Sequence, residues 1–182
     1  KNISVQTMGY RATALRAVGK GEQSLSELNE FLKNDLSEKD KRWIEYQILR
    51  SKMYANNRDN LHDGFLNLFK QSLPDERTYY RSLCYCLLFG DQLSAQRIDG
   101  IELENLYSST ISLLNQHFAH DQIFVAVSMT DFGLVFRKYG MLEHRERCFE
   151  DALRIFSQTN PASFDTLHLR LLVSETKNEV HI

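Results

Sequence analysis

The chain has 182 residues, with 22 basic against 24 acidic side chains and a net charge of −2. This near balance gives no electrostatic basis for direct binding to nucleic acid or for attraction to an anionic membrane. No run reaches the roughly 18 apolar residues that a membrane-spanning helix needs, so we expect no membrane insertion. The length suits one domain or one short array of repeats, and the low content of proline (2) and glycine (8) leaves room for long helices.

The cysteine content favours a reducing compartment. Cys84, Cys86 and Cys148 are an odd number, and the C-x-C spacing of the first two matches neither a zinc knuckle nor a thioredoxin motif. We interpret all three as small buried hydrophobic side chains. The sequence therefore predicts a cytoplasmic protein.

The first predicted helix covers residues 2–18 and is followed by a turn at Gly19, because glycine adopts a positive φ without steric cost. Ser24 and Glu27 have the spacing of a capping box, which predicts that a second helix begins at Ser24. The apolar stripe of this second helix consists of Leu25, Leu28, Phe31 and Leu32.

A third helix is predicted to begin at Ser37 and to end at Asn56 and Asn57, since asparagine tolerates the left-handed backbone conformation. Asp59 or Asn60 is then expected to cap a fourth helix. Both helices carry apolar residues at helical spacing, so each has a face to bury.

A Pro-Asp-Glu segment at 74–76 is a typical helix entry, with acidic side chains near the positive end of the helix dipole. The helix that it opens covers 77–89 and closes at Gly90. The pattern beyond Gly90 is interrupted, and we divide it into a short helix over 93–98 and a longer one over 102–118. The repeat register between these helices stays open.

The stretch 126–159 contains two helical patterns joined by a turn at Gly140. Gly133 and Ala152 have little bulk, which would let the two helices approach closely. Apolar residues at helical spacing form a stripe on each side of the turn: Met129, Phe132, Val135 and Phe136 before it, and Leu142, Phe149, Ala152, Leu153 and Phe156 after it. The pattern predicts an αα-hairpin.

The end of the chain has the pattern of a terminal helix that follows Pro161. Residues 174–179 are polar, as a capping helix requires for solubility. Val180 and Ile182 then restore apolar character without a stop signal, and the chain begins at Lys1 instead of methionine. We interpret residues 1–182 as one helical domain and as a segment of a longer protein.

The hairpin at 126–159 resembles the tetratricopeptide repeat, a 34-residue helix–turn–helix unit. The matching positions are the small residue of the first helix, its aromatic, the turn glycine, the aromatic of the second helix and its alanine: Gly133, Phe136, Gly140, Phe149 and Ala152. The chain departs from the pattern at Arg145, where the family usually has alanine, and at Ser157, where proline often ends the repeat. We expect Arg145 to find a carboxylate or to extend its charge out to solvent.

The resemblance implies an all-α fold of stacked antiparallel helix hairpins, about four in number, followed by a C-terminal helix. Gly19, Asn57, Gly90 and Gly140 would be the turn residues of successive hairpins. Because a single hairpin cannot bury its apolar face alone, the hairpins would stack into a curved α-solenoid.

In the family, the first helix of each hairpin contributes one face to a concave groove that binds peptides. The positions that form this groove in the family correspond to a candidate ligand site in this sequence. Its cationic residues would pair with a carboxylate of the ligand. Its residues are Arg16, Gln47, Tyr54, Tyr80, Thr130, Arg137 and Lys138. Each of them has an alternative interpretation as an ordinary solvated side chain.

Catalytic and metal-binding patterns are weak. His117, His120 and Asp121 are close neighbours, but nothing marks a further ligand, and histidines near a helix C-terminus are a common alternative. We find no phosphate-binding loop, nucleophile elbow or H-E-x-x-H motif. The sequence thus predicts a protein that is not an enzyme and that has no cofactor or metal.

Two functional hypotheses follow. The first is an interaction or sensor module that binds a protein, a peptide or a small ligand in the groove and regulates an attached output domain. The alternative is a freestanding structural adaptor or self-associating scaffold, possible as a homodimer. Exposed aromatic residues, Trp43 and Tyr46 especially, would then form the dimer face.

Overall fold

The computed structural model describes residues 3–55, 60–89, 98–159, 161 and 164–179; side chains in the last range are described at 166, 167 and 169–174. The expected all-α class is confirmed, since the described residues form helices and no strand. The helices are α1 (Val5–Ala17), α2 (Gly21–Phe31), α3 (Glu38–Tyr54), α4 (Leu61–Gln71), α5 (Arg77–Phe89), α6 (Gly100–Phe118), α7 (Gln122–Lys138), α8 (Leu142–Thr159) and α9 (Phe164–Glu179).

The helices belong to two compact units, Lys1–Phe89 and Gly90–Ile182. In the first unit, α1 contacts α2 and α3, α3 contacts α2, α4 and α5, and α4 contacts α5. In the second unit, consecutive helices are in contact from α6 to α9. Adjacent helices are therefore packed as pairs in both units.

Two of the expected turn glycines are confirmed by their backbone conformation. Gly19 has a φ of 75° and Gly140 a φ of 73°, and the chain folds back by a hydrogen bond across each helix end. Lys20 N donates to Leu15 O at 2.8 Å, and the equivalent bond after Gly140 measures 2.9 Å. The other two expected turns, at Asn57 and Gly90, lie outside the described residues.

The predicted start of the second helix is wrong. α2 begins at Gly21, and Ser24 lies inside its first turn with a buried side chain that donates to Ala12 O at 3.3 Å. Gly21 permits this earlier start, because a Cβ there would lie 2.7 Å from the carbonyl carbon of Tyr54. Only glycine lets the beginning of α2 approach the end of α3 so closely.

Other helix starts follow the sequence signals. Ser37 caps α3 by accepting from Asp40 N. Asn60 occupies the cap position of α4 in the left-handed conformation with a φ of 57°, but its side chain makes no capping hydrogen bond. α6 begins at Gly100, two residues before the expected start, because Asp99 and Glu102 form a capping box. Of the expected short helix over 93–98, only residue 98 lies in the described part of the chain.

Each unit has its own apolar core. Residues of α1, α2 and α3 form a cluster in the first unit: Met8, Ala12, Leu28, Ile44 and Ile48. Residues of α7, α8 and α9 form a cluster in the second unit: Ala126, Phe149, Ala152, Phe156, Leu169 and Val173. Of the stripe expected in the second half of the hairpin at 126–159, Phe149, Ala152 and Phe156 are buried, whereas Leu142 is 39% exposed.

The three cysteines are buried thiols, as the sequence predicts. Arg145 is also buried, with 2% of its surface exposed, and it is the largest of the fully buried side chains in the described residues. Its charge therefore does not extend out to solvent, and the site at which the tetratricopeptide pattern has alanine holds a much larger side chain.

The close approach of α7 and α8 depends on Gly133. An alanine Cβ at this position would lie against Phe149 Cε1 and 2.6 Å from Phe149 Cδ1. Both residues are buried, so the ring has no solvent to move into. We expect Gly133→Ala to lower the free energy of unfolding by about 1–3 kcal/mol.

Equilibrium unfolding in urea measures this loss, and Gly100→Ala is the matched control. Its Cβ would meet only the side chain of Met141, at 3.6 Å, which is an ordinary contact. The control should unfold at the midpoint of the original protein or slightly above it. Equal midpoints for the two variants would contradict the close contact between α7 and α8.

Candidate functional site

The seven predicted site residues divide between the units, and each set is considered within its own unit. In the first unit, Arg16 and Gln47 are in contact, with Arg16 Nη2 2.8 Å from Gln47 Oε1. Tyr54 is half exposed near the end of α3. Tyr80 is completely buried, and its hydroxyl donates to Pro74 O at 2.7 Å. Tyr80 thus offers no surface to a ligand in this conformation.

The second unit places Thr130, Arg137 and Lys138 along α7. The Thr130 hydroxyl donates to Ala126 O within the helix. Arg137 and Lys138 are exposed at its C-terminal end, and Lys138 Nζ lies 5.8 Å from the ring centroid of Tyr139. Ligand binding by these residues stays a prediction.

Arg16 is the centre of a buried polar network between α1 and α3. It is 5% exposed and donates to Thr13 Oγ1 at 2.9 Å, to Ser51 Oγ at 3.2 Å and to the side chain and backbone oxygens of Gln47. Ser24 on α2 joins the network through Ser51, at 2.8 Å between the hydroxyl oxygens. All partners of Arg16 among the described residues are neutral.

The charge on Arg16 is therefore stabilised by dipoles alone. Burial, and secondarily the positive charge of Arg50, lower the pKa of Arg16 to about 10. The side chain still carries its proton at neutral pH. The first unit thus holds a buried cation close to a second cation.

A second cluster, which sequence analysis missed, joins α3 to α5. The Tyr46 hydroxyl accepts from Arg50 Nη1 at 3.0 Å and from Arg81 Nε at 2.9 Å. Arg50 Cζ also lies 5.0 Å from the ring centroid of Tyr85, within the range of a cation–π contact. Arg50 and Arg81 are partly exposed as residues, whereas both tyrosines are buried.

The expectation that Trp43 and Tyr46 are exposed is wrong for Tyr46, which is 1% exposed. Trp43 stacks on its ring with the centroids 5.1 Å apart and is itself partly buried. The cluster does have a sequence signal, because Tyr46 and Arg50 are four residues apart, as are Arg81 and Tyr85. Residues at this spacing share a helix face.

The described residues do not form a metal centre. No group of three or more potential metal ligands occurs among them. Asp121, one member of the candidate cluster, caps α7 by accepting from Phe124 N at 3.0 Å. Burial raises the pKa of Cys86 to about 12 and that of Cys148 to about 11, so neither is a thiolate nucleophile at neutral pH.

Comparison with models of known protein families and with curated proteins finds no match for this chain. Within the described part of the chain, every helix is too short or too polar to cross a lipid bilayer.

Two arginine–carboxylate pairs of the first unit differ in burial, so they test how burial affects the contribution of an ion pair to stability. Arg42 binds Glu76 in a bidentate pair at 2.9 and 2.6 Å, and Glu76 is 3% exposed. Arg11 binds Glu27 with the same geometry, and its hydrogen bonds hold the pKa of Glu27 at about 2, but the Arg11 side chain is 53% exposed.

Arg42→Gln should be strongly destabilising, and Arg11→Gln should not. The first change leaves the Glu76 carboxylate buried without its counterion, which should cost about 3 kcal/mol of unfolding free energy. The second leaves Glu27 partly in contact with water, so the unfolding midpoint should move much less. Chemical denaturation of both variants provides the measurement, and equal losses would show that burial does not separate the two pairs.

Proposed function

We propose that the chain is a non-catalytic interaction module, which binds a peptide segment of a protein partner on the face shared by α1, α3 and α5. The observation that supports this proposal is the side-by-side placement of these three helices, since α1 contacts α3 and α3 contacts α5. Their partners α2 and α4 come between them in the chain. This is the order expected of stacked, tetratricopeptide-like hairpins.

The arrangement of the first unit also favours curvature. An open depression between α2 and α4 has residues of α3 at its base, Glu45, Ile48 and Leu49 among them. The helices α1, α3 and α5 would then form the inner layer of a curved array, and α2 and α4 the more widely spaced outer layer. An inner layer is the natural place for a groove that holds an extended peptide.

The side chains on this inner face suit recognition of a protein. Trp43, Arg50 and Arg81 are partly exposed, and Tyr54 is half exposed. Tryptophan, tyrosine and arginine are the residue types most enriched among energetically dominant interface positions. Arg16 and Gln47 lie behind this surface and hold α1 on α3.

For the second unit we propose the same role for Thr130, Arg137 and Lys138 on α7. We further propose that binding regulates an attached output domain and that the protein acts in the cytoplasm. Helical repeat modules often couple ligand binding to a neighbouring domain in this way.

The test is a selection of displayed random 12-residue peptides on the immobilised protein. The proposal expects selected peptides that bind the free protein in solution, each at the surface of one unit or of the other. Failure to select any peptide with measurable affinity in solution would count against an interaction module.

Arg137 and Lys138 give a prediction for the second unit. They are consecutive and exposed, so both charges can meet an acidic segment of the partner at the end of α7. Their joint replacement by alanine should weaken binding of a selected acidic peptide that binds the second unit at least tenfold, since each contact contributes about 1.5–3 kcal/mol.

Lys20→Ala is the control. Lys20 is exposed in the first unit, and its replacement removes one positive charge far from the proposed α7 site in the sequence. Titrations of the two variants should be compared at low salt, and circular dichroism should confirm that the helices are retained. Original affinity in the double variant would remove Arg137 and Lys138 from the binding site.

A self-associating scaffold is the second candidate. Its support is an apolar pair on α9, where Leu167 is 50% exposed and Leu171, one turn later, is 63% exposed. Sedimentation over a range of protein concentrations separates the candidates. A dimer that dissociates in Leu171→Lys would favour the scaffold.

A further inference from the structure

The first unit has an open depression that the proposed peptide face does not use. α3 contacts both α2 and α4, and the depression lies between these two flanking helices, with α3 beneath it. Its volume is about 390 Å³, within the range of roughly 300–1,000 Å³ that is typical of sites for small ligands. The depression is therefore large enough for a small molecule.

Helical spacing brings the lining side chains together. Glu45 and Leu49 lie one turn apart on α3, and Gly64 and Leu68 lie one turn apart on α4, so each pair shares a helix face. Gly64 also brings α4 close to the Leu49 side chain, because a Cβ at this position would lie 2.7 Å from Leu49 Cδ2. The packing of α4 on α3 thus fixes one wall of the depression.

Much of the lining is apolar. Leu32 at the end of α2, Ile48, Leu49 and Leu68 all border the depression. Ile48 is 8% exposed and Leu68 is 4% exposed, so both are held in place by the core behind them. Contact with an aromatic ring or an alkyl chain would remove apolar surface from water on both sides. This lining favours a ligand with an apolar body.

Glu45 adds a carboxylate to this apolar surface. The two cations that precede it on α3 are engaged elsewhere, since Lys41 Nζ donates to Glu38 at 2.8 Å and Arg42 forms the bidentate pair with Glu76. Among the described residues, no cation forms an ion pair with Glu45. Partial burial, and secondarily the negative charge of Glu38, raise the pKa of Glu45 above its ordinary value. A cation brought into contact with this carboxylate would offset both effects.

Amide side chains border the carboxylate. Asn29, Asn67 and Gln71 line the depression and are exposed to solvent. The Asn29 amide group donates to Leu25 O at 2.8 Å within α2, which leaves its carbonyl oxygen as an acceptor. A primary ammonium group has three N–H donors and no acceptor, so a carboxylate with neighbouring amide oxygens suits it.

We propose that the depression binds a small organic monoamine, with its ammonium group on Glu45 and its apolar body against Ile48 and Leu49. A polyamine fits less well, because a single carboxylate can pair with only one of its charges. The inference goes beyond the proposed function, since it concerns a second site and a second class of ligand. It does not depend on the peptide face.

The test compares phenethylamine with phenethyl alcohol, which has the same size and ring but no charge. Each compound is titrated into isotope-labelled protein, and the amide resonances of the backbone are followed by NMR. Phenethylamine should shift amide resonances of α2, α3 and α4 at the depression. Its dissociation constant should be at least threefold lower than that of the alcohol, because the charged contact to Glu45 is partly desolvated.

Two variants of the depression locate the charged contact. Glu45→Gln should reduce the affinity for phenethylamine to that for phenethyl alcohol and should leave the affinity for the alcohol nearly unchanged. Asn67→Arg places a guanidinium at the rim, where it can pair with Glu45, and should weaken amine binding at least threefold.

Glu22→Gln is the matched control, because it removes the same charge from an exposed position of α2 outside the depression. This variant should bind both compounds as the original protein does. The comparison of amine with alcohol on the original protein needs no variant, so it stands even where a variant does not fold.

Each other outcome overturns a stated part of the inference. Equal dissociation constants for the two compounds, or no shift with millimolar phenethylamine, would overturn the cationic ligand. Unchanged amine affinity in folded Glu45→Gln, or shifts confined to other residues, would overturn the depression as its site. A selected peptide that shifts the same resonances and is displaced by phenethylamine would assign the depression to a basic side chain of a peptide instead. The peptide selection tests the proposed function separately.

Discussion

A helix hairpin cannot bury the apolar surface of both of its helices by itself, and this constraint determines the arrangement within each unit. α3 shows it most clearly, because it contacts α1 and α2 on one side and α4 and α5 on the other. Ile44 and Ile48 of this helix face the first of these neighbours, and Tyr46 meets Phe65 and Tyr85 on the other. A helix that has neighbours on two sides leaves one face for other uses. On α3 that face carries Trp43, Arg50 and Tyr54.

The same helices enclose polar groups that apolar packing alone does not require. Arg16, Gln47, Ser24 and Ser51 form a connected network between the first three helices, in which each member has a partner. Such networks fix one relative placement of helices, since a shifted helix would leave buried polar groups without hydrogen bonds. The network also places a positive charge behind the inner face, next to Arg50. The same network thus fixes the placement of the helices and adds a positive charge behind the inner face.

The sequence predicts the local features of this fold well, because they depend on the conformational preferences of single residues. Gly19 and Gly140 have the positive φ that a helix ending requires, and Ser37 forms the expected cap. Gly133 faces Phe149, as its small size suggested. The all-α class and the packed adjacent helix pairs follow from the same signals.

Features that depend on contacts between distant residues were harder to predict. Ser24 has the sequence of a helix cap, yet the close approach of Gly21 to Tyr54 allows α2 to begin earlier and places Ser24 inside the helix. The sequence pattern favours an exposed face for Tyr46, but Phe65 and Tyr85 pack against it. The resemblance places Tyr80 in the groove, whereas its hydroxyl donates to Pro74 O. Hydrophobic periodicity shows that an aromatic residue lies on a helix face, but it does not show what packs against that face.

Trp43 is the only tryptophan of the chain, and it stacks on Tyr46 at the inner face of the first unit. Its fluorescence therefore reports on this face without any label. The most direct measurement is quenching of Trp43 by acrylamide, with and without a saturating selected peptide that lacks tryptophan. A ligand seated on α1, α3 and α5 should shield the indole and lower the quenching constant at least twofold. An unchanged constant at saturation would contradict the assignment of this face as the binding surface.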